Sequence, residues 1–152
     1  MSDPLLILVD ADACPVKEEI YKVAFRHGVA VRIVSNAHLR VPAHPSIERV
    51  VVGAGFDAAD DWIAERAGPK TIVVTSDILL ADRCLKKGAA VIGHNGKLFT
   101  AAGIGGAIAT RAIMADLRVA ADGITGGPAP FAKVDRSRFL QALDAALERL
   151  SR

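Results

Sequence analysis

What this sequence lacks narrows it first. It holds two cysteines, Cys14 and Cys84, and they form no Cys-x-x-Cys pair. That excludes a disulfide scaffold and suits a reducing compartment, so a cytoplasmic location is expected. The four histidines (His27, His38, His44, His94) are scattered without zinc-ligand spacing. No apolar run approaches the roughly 20 residues of a membrane-spanning helix, so no membrane association is expected. No charged segment followed by a long apolar one opens the chain, and a secretory signal is not expected either. Aromatic residues make up 5% with a single tryptophan, Trp62. That is too few for the stacking platform of a single-strand binder. The net charge is +2, so any partner must be read from where charges lie rather than from their sum.

What is present is a core-forming chain of 152 residues, 51% hydrophobic, read as a single domain over residues 1–152. The continuous aliphatic run Leu5–Val9 predicts a strand buried on both faces, and Val29–Val34, Ile47–Val52, Thr71–Thr75 and Ala89–Ile92 predict four further strands. Helical spacing predicts helices over Val16–His27, Asp57–Ala67, Ile78–Lys87, Ile104–Val119 and Arg136–Leu150, with Gly28 and Gly88 as stops. Ser35–Ser46 reads as a loop, Asn95-Gly96 as a turn and Asp122–Pro130 as a loop. The alternation predicts an α/β doubly wound domain with a mainly parallel five-stranded sheet flanked by helices.

Carboxylates gather where the predicted strands end. Leu5–Lys17 reads LLILVDADACPVK, so Asp10 and Asp12 follow the first strand. Asp57, Asp60 and Asp61 open the second helix, and Asp77 follows the fourth strand in VVTSD. In an open parallel sheet these loops line one edge, and ligands bind there at the topological switch point. If the first and fourth strands are neighbours, Asp10, Asp12 and Asp77 converge. Crowded carboxylates favour an intervening cation, and an all-oxygen donor set favours Mg²⁺ or Mn²⁺. Helix capping is the plainer reading, and it accounts singly for Asp57, Asp60, Asp61 and for Ser76 or Asp77. It does not account for Asp10 and Asp12 together, because Pro15 leaves at most one of them as a cap.

Two motif readings compete. Gly53-x-Gly55-x-x-Ala58 follows a strand as a dinucleotide fingerprint does. A pyrophosphate there would meet Asp57, Asp60 and Asp61 at the helix start, where it would be repelled. LLILVDADACPV and IVVTS resemble the motifs of haloacid-dehalogenase-like phosphatases, with Asp10 as nucleophile and Asp12 as acid–base. That reading lacks its later acidic motif, since the fifth strand ends in Ile92-Gly93-His94-Asn95.

VDADACPVK, AGFDAAD, VVTSDILLA, KKGAAVI, ATRAIMADLR and TGGPAPF–DRSRF occur in order over nearly the whole chain. Together they resemble the YaiI/YqxD family of small bacterial proteins, grouped with PIN-like nuclease domains. The resemblance implies a PIN-like domain with an acidic Mg²⁺/Mn²⁺ pocket and metal-dependent nuclease activity, with RNA as substrate. Carried onto this chain, its ligand candidates are Asp10, Asp12, Asp57, Asp60 and Asp77, with Asp10, Asp12, Asp60 and Asp77 catalytic. The chain departs from the family pattern at Leu79, Asn95 and Gly103.

A nucleic-acid backbone also needs cations or hydrogen-bond donors around such a pocket. The candidates are Lys17 after the paired acids, Asn36 and Arg40 in the loop after the second strand, and Arg111 and Arg118 on one helix face. Arg136 flanks the TGGP turn, whose amides suit a phosphate. A non-catalytic RNA-binding module is the alternative from another class, and a homodimer is compatible with the sequence.

Overall fold

The computed structural model describes residues 4–12, 14–53, 55, 57–120 and 131–151. In chain order the elements are β1 (Leu6–Asp10), α1 (Lys17–His27), β2 (Ala30–Ser35), β3 (Ile47–Val51), α2 (Ala58–Arg66) and β4 (Thr71–Val74). There follow α3 (Ile78–Lys86), β5 (Ala90–Ile92), β6 (Leu98–Phe99), α4 (Ala101–Ala120) and α5 (Lys133–Leu150). The strands form one sheet in the order β3-β2-β1-β4-β5-β6. The first five strands are mutually parallel, and β6 pairs antiparallel with β5. This is the α/β architecture expected of a PIN-like domain.

Strand pleating decides which side chains build each layer, because successive residues point to opposite faces. Ile7 and Val9 of β1, Val31 and Ile33 of β2, and Ile72 and Val74 of β4 pack on one side with Ile20, Val23 and Ala24 of α1. Phe139, Leu143, Ala146 and Leu147 of α5 complete that layer. Leu8, Val34, Val73 and Val91, one step out of phase, face α2 through Ile63 and Ala64 and α3 through Leu80, Ala81 and Cys84. Both cysteines are free and buried as packing groups.

The predicted elements differ from the observed ones at one edge. The short strand β6 was not foreseen, and Asn95-Gly96 is the turn that joins it to β5. Gly96 has φ +85, and α5 passes so close that a Cβ there would lie 2.5 Å from the Arg138 carbonyl carbon. Two residues of strand are too short for any alternating pattern to show. Helix α4 starts three residues before its predicted start, because Thr100 Oγ1 accepts the Gly103 N–H at 3.0 Å. Helix α5 likewise starts at Lys133, where Asp135 Oδ2 accepts the Ala132 N–H at 2.9 Å. The predicted loop Asp122–Pro130, with its TGGP turn, lies outside the described residues. Among the described residues no helix is long and apolar enough to cross a membrane.

Candidate functional site

Strand β1 lies between β2 and β4, so the strand order reverses at the β1/β4 boundary. That is the switch point at which open α/β sheets leave a crevice beyond the strand ends. Val9 pairs with Val74, which brings Asp10 level with Thr75. Thr75 is fully buried, and its Oγ1 donates to Asp10 Oδ2 at 2.8 Å. The same oxygen accepts the Asp77 N–H at 3.0 Å. One hydroxyl therefore locks the two strand ends together.

The loop after β1 is held by its own backbone. The Ala11 N–H donates to the Val34 carbonyl at 2.9 Å and the Cys14 N–H to the Ala11 carbonyl at 3.2 Å. Asp12 is exposed, and its Oδ2 accepts the Asn36 N–H at 3.4 Å. From the opposite side, Asp77 caps α3, its Oδ1 accepting from the N–H groups of Leu79 and Leu80 at 2.9 and 3.3 Å. Asp57 occupies the N-cap position of α2 but makes no side-chain cap bond, so capping explains Asp77 and not Asp57. Asp60 is half-buried one turn further along α2.

The acids feel one another. Burial pushes the Asp10 carboxyl up to about 6, the Thr75 hydrogen bond opposes that, and the charges of Asp60, Asp12 and Asp77 add to it. Burial also raises Asp60, reinforced by Asp77, Asp57 and Asp61 and opposed by Arg83. Arg83 in turn pairs with Asp61 at 3.0 Å. The structure thus brings Asp10, Asp12, Asp60 and Asp77 within electrostatic reach, with Asp57 beside Asp60.

A divalent cation must be tested against that arrangement. Among the described residues no three His, Cys, Asp or Glu side chains gather tightly enough to hold a metal ion between them. A dehydrated cage such as structural zinc requires is therefore excluded for this arrangement. Mg²⁺ is different: it keeps several waters and is commonly held by one or two carboxylates plus substrate phosphate. The all-carboxylate donor set, with Asp10 carrying a charge that burial disfavours, fits a hydrated hard cation.

The candidate nucleic-acid contacts fall into two groups. Asn36, whose N–H meets Asp12, and Arg40 are exposed in the loop after β2, and Arg111 is exposed on α4. Lys17 and Arg136 are engaged by the chain itself. Lys17 Nζ donates to the Cys14 carbonyl at 2.9 Å, which braces the loop carrying Asp12. Arg136 donates to the Pro15 carbonyl and to Glu19 Oε1, the latter at 2.9 Å, so it clamps α5 onto the start of α1. Arg118 belongs to α4, but its side chain lies outside the described residues.

Sequence reasoning met Thr75 only within IVVTS, as part of the phosphatase resemblance, and gave neither it nor His94 a place at this edge. Thr75 carried a signal, a hydroxyl at the end of an aliphatic strand whose neighbour ends in an acid. His94 follows β5 at the same sheet edge, and its Nε2 is buried with no hydrogen-bond partner among the described residues. Nothing in the sequence pattern marks it.

Comparison with known proteins follows the same lines. A family model described as "Uncharacterized BCR, YaiI/YqxD family" matches residues 8–149. A "UPF0178 protein" of Sphingopyxis alaskensis is 70% identical over 152 residues, covering 100% of this chain and 98% of the relative. Another, of Rhodopseudomonas palustris, is 60% identical over 149 residues, covering 98% and 96%. One from Jannaschia sp. is 58% identical over 146 residues, covering 95% and 94%. No solved structure matches the chain significantly.

Proposed function

The chain belongs to the YaiI/YqxD family, and from that premise we propose that its carboxylate crevice is the active site of a metal-dependent nuclease acting on RNA. The observation that carries the reading is Asp10. A half-buried carboxyl pushed up to about 6, with three further carboxylates acting on it, is costly to fold, and because such carboxyls cluster at functional sites it supports the reading. Asp10 with one of Asp12, Asp60 or Asp77 would hold a Mg²⁺ or Mn²⁺ that keeps several of its waters, the remaining acids facing that hydrated ion and Asp57 supporting Asp60 from the start of α2. Bound there, the ion would polarise a phosphate oxygen and ease deprotonation of a water for attack on a phosphodiester.

The chain's own residues do the rest. Thr75 fixes one oxygen of Asp10 and leaves Oδ1 for the ligand side. The α3 amides hold Asp77 Oδ1, which orients that carboxylate in the same way. Arg40 and Arg111, exposed and outside the acid cluster, would meet backbone phosphates, with Asn36 at the crevice edge. Arg83 tempers the repulsion around Asp60 and Asp61.

The test is cleavage of end-labelled RNA by purified protein in Mn²⁺, against EDTA and against Asp10→Asn. Loss of cleavage in both, by about a hundredfold or more for the variant, supports the reading. Cleavage unchanged by Asp10→Asn contradicts it.

A second reading, a non-catalytic RNA-binding module, draws on the absence of a tight ligand trio among the described residues. Its signature is salt-sensitive RNA binding with neither cleavage nor metal affinity. The phosphatase reading fares less well, since Gly93, His94 and Asn95 after β5 supply no carboxylate.

A further inference from the structure

Beside the acid crevice lies a cavity of about 840 Å³ between the start of α3, the β5–β6 hairpin and the first turns of α4 and α5. That size is in the range of pockets that enclose small organic ligands, about 300–1,000 Å³. Its wall includes Ser76 and Ile78, the residues on either side of Asp77. The cavity therefore adjoins the crevice at the position of Asp77.

The lining states what fits. Ile78, Phe99, Ile104 and Phe131 supply apolar and aromatic surface, and His94 and Ser76 supply polar edges. Phe131 is held at the rim by Arg136, whose guanidinium lies over its ring at 5.0 Å. The charged lining is sparse: Lys97 and Asp135, and Asp135 is committed to the Ala132 N–H. An anion gains little there. A flat, neutral, heteroaromatic ring gains most, because aromatic walls stack on its face while polar groups meet its edge.

His94 lines the cavity as a half-buried ring whose Nε2 is itself closed off from it. Its Nε2 is buried without a partner among the described residues, although buried polar groups are nearly always satisfied. Burial, and secondarily the charge of Lys17, hold its imidazole below the ordinary value. The ring is therefore neutral near pH 7, with one nitrogen donating and the other accepting.

We propose that this cavity is a nucleobase-binding subsite, which receives one base of a nucleic-acid strand whose phosphate reaches across Asp77 to the acid crevice. The placement of the phosphate rests on the nuclease reading above. The capture of the base rests on the cavity alone. A strand bound this way is held at an unpaired nucleotide, since a base stacked within a duplex cannot enter a side cavity.

Binding measured without metal separates the two claims. Purified protein in EDTA is titrated with AMP, CMP and ribose 5-phosphate, followed by amide chemical shifts and calorimetry. The two nucleotides should bind about tenfold or more tighter than the base-free sugar phosphate, the size of one stacking interaction. Amides of the β5–β6 hairpin and of the first turns of α4 should shift. Ala107→Trp, which fills the cavity from α4, should abolish that preference while leaving the thermal transition cooperative. Should Ala107→Trp fail to fold, His94→Ala and Ala107→Leu are read instead, each lowering nucleotide affinity about tenfold. Equal affinity for ribose 5-phosphate and AMP, absence of nucleotide binding, or a folded cavity-filling variant that binds like the native chain would each overturn the proposal. Base-dependent binding with no Mn²⁺-dependent RNA cleavage would overturn the nuclease reading and leave the subsite standing; cleavage without base-dependent binding would do the reverse.

Discussion

The Thr75 hydroxyl, fully buried, donates to Asp10 Oδ2 at 2.8 Å across 65 residues of chain. Thr75→Val keeps the shape and removes the donor. It strands Asp10 Oδ2 and the Asp77 N–H together, a loss of about 1–3 kcal/mol. Because the hydrogen bond favours the ionised carboxyl, its removal should also raise Asp10 further above 6. Urea unfolding and a carbon-detected carboxyl titration measure both effects, and Thr75→Ser should restore both.

Asp10 itself sets a pH dependence with a definite sign. Its folded value of about 6 lies above the ordinary 3.8. Between those values the folded chain binds more protons than the unfolded one, so this group's contribution to stability falls as pH rises. The loss is absent below the ordinary value and complete above about 6. Asp10→Asn should therefore stabilise the metal-free protein at pH 7.5 by on the order of 2–3 kcal/mol. Near pH 3.5 the variant and the native chain should be equally stable. Equal stability at pH 7.5 would show that the carboxylate is not strained.

Gly96 meets a different constraint. Its φ of +85 and the Arg138 carbonyl carbon, 2.5 Å from where a Cβ would stand, leave no room for a side chain. Gly96→Ala must push α5 off the β5–β6 turn and should cost about 2 kcal/mol or more. Gly105→Ala is the control, since a Cβ there meets nothing within 4 Å.

The cations divide into those that hold the fold and those that face solvent. Arg136→Ala removes the bonds to Glu19 and the Pro15 carbonyl and should lower stability by about 1 kcal/mol, the half-exposed pair being partly screened. It should leave the salt slope of RNA binding unchanged. Arg40→Ala should do the opposite, reducing that slope by about 1 with stability intact. Filter binding across a salt series, with melting curves, separates the two.

Whereas Asp57 and Asp60 were legible only as acids opening a helix, Asp10, Asp12 and Asp77 were legible in the sequence because each follows an aliphatic run long enough to be a buried strand. The pairing of β1 with β4 then fixes their convergence. Thr75 was less legible, since a hydroxyl acquires its role only through a partner on another strand. The β6 strand and the cavity against it were not legible at all. They depend on Gly96 letting α5 approach the hairpin, a contact between residues far apart in the chain. Arg136 looked like a phosphate contact because it follows the TGGP turn, whose amides suit a phosphate. Its own partner, Glu19, lies 117 residues away.

The central claim is that the crevice holds a divalent cation through Asp10, and calorimetric titration of Mn²⁺ into the native chain and into Asp10→Asn tests it most directly. The native chain should bind Mn²⁺ with release of protons at pH 6, where Asp10 is partly protonated. Its melting temperature at pH 7.5 should rise with Mn²⁺, corresponding to about 2.7 kcal/mol at a hundredfold excess over Kd. Asp10→Asn should lose both responses. Equal Mn²⁺ binding by the two proteins, or none by the native chain, would contradict the account.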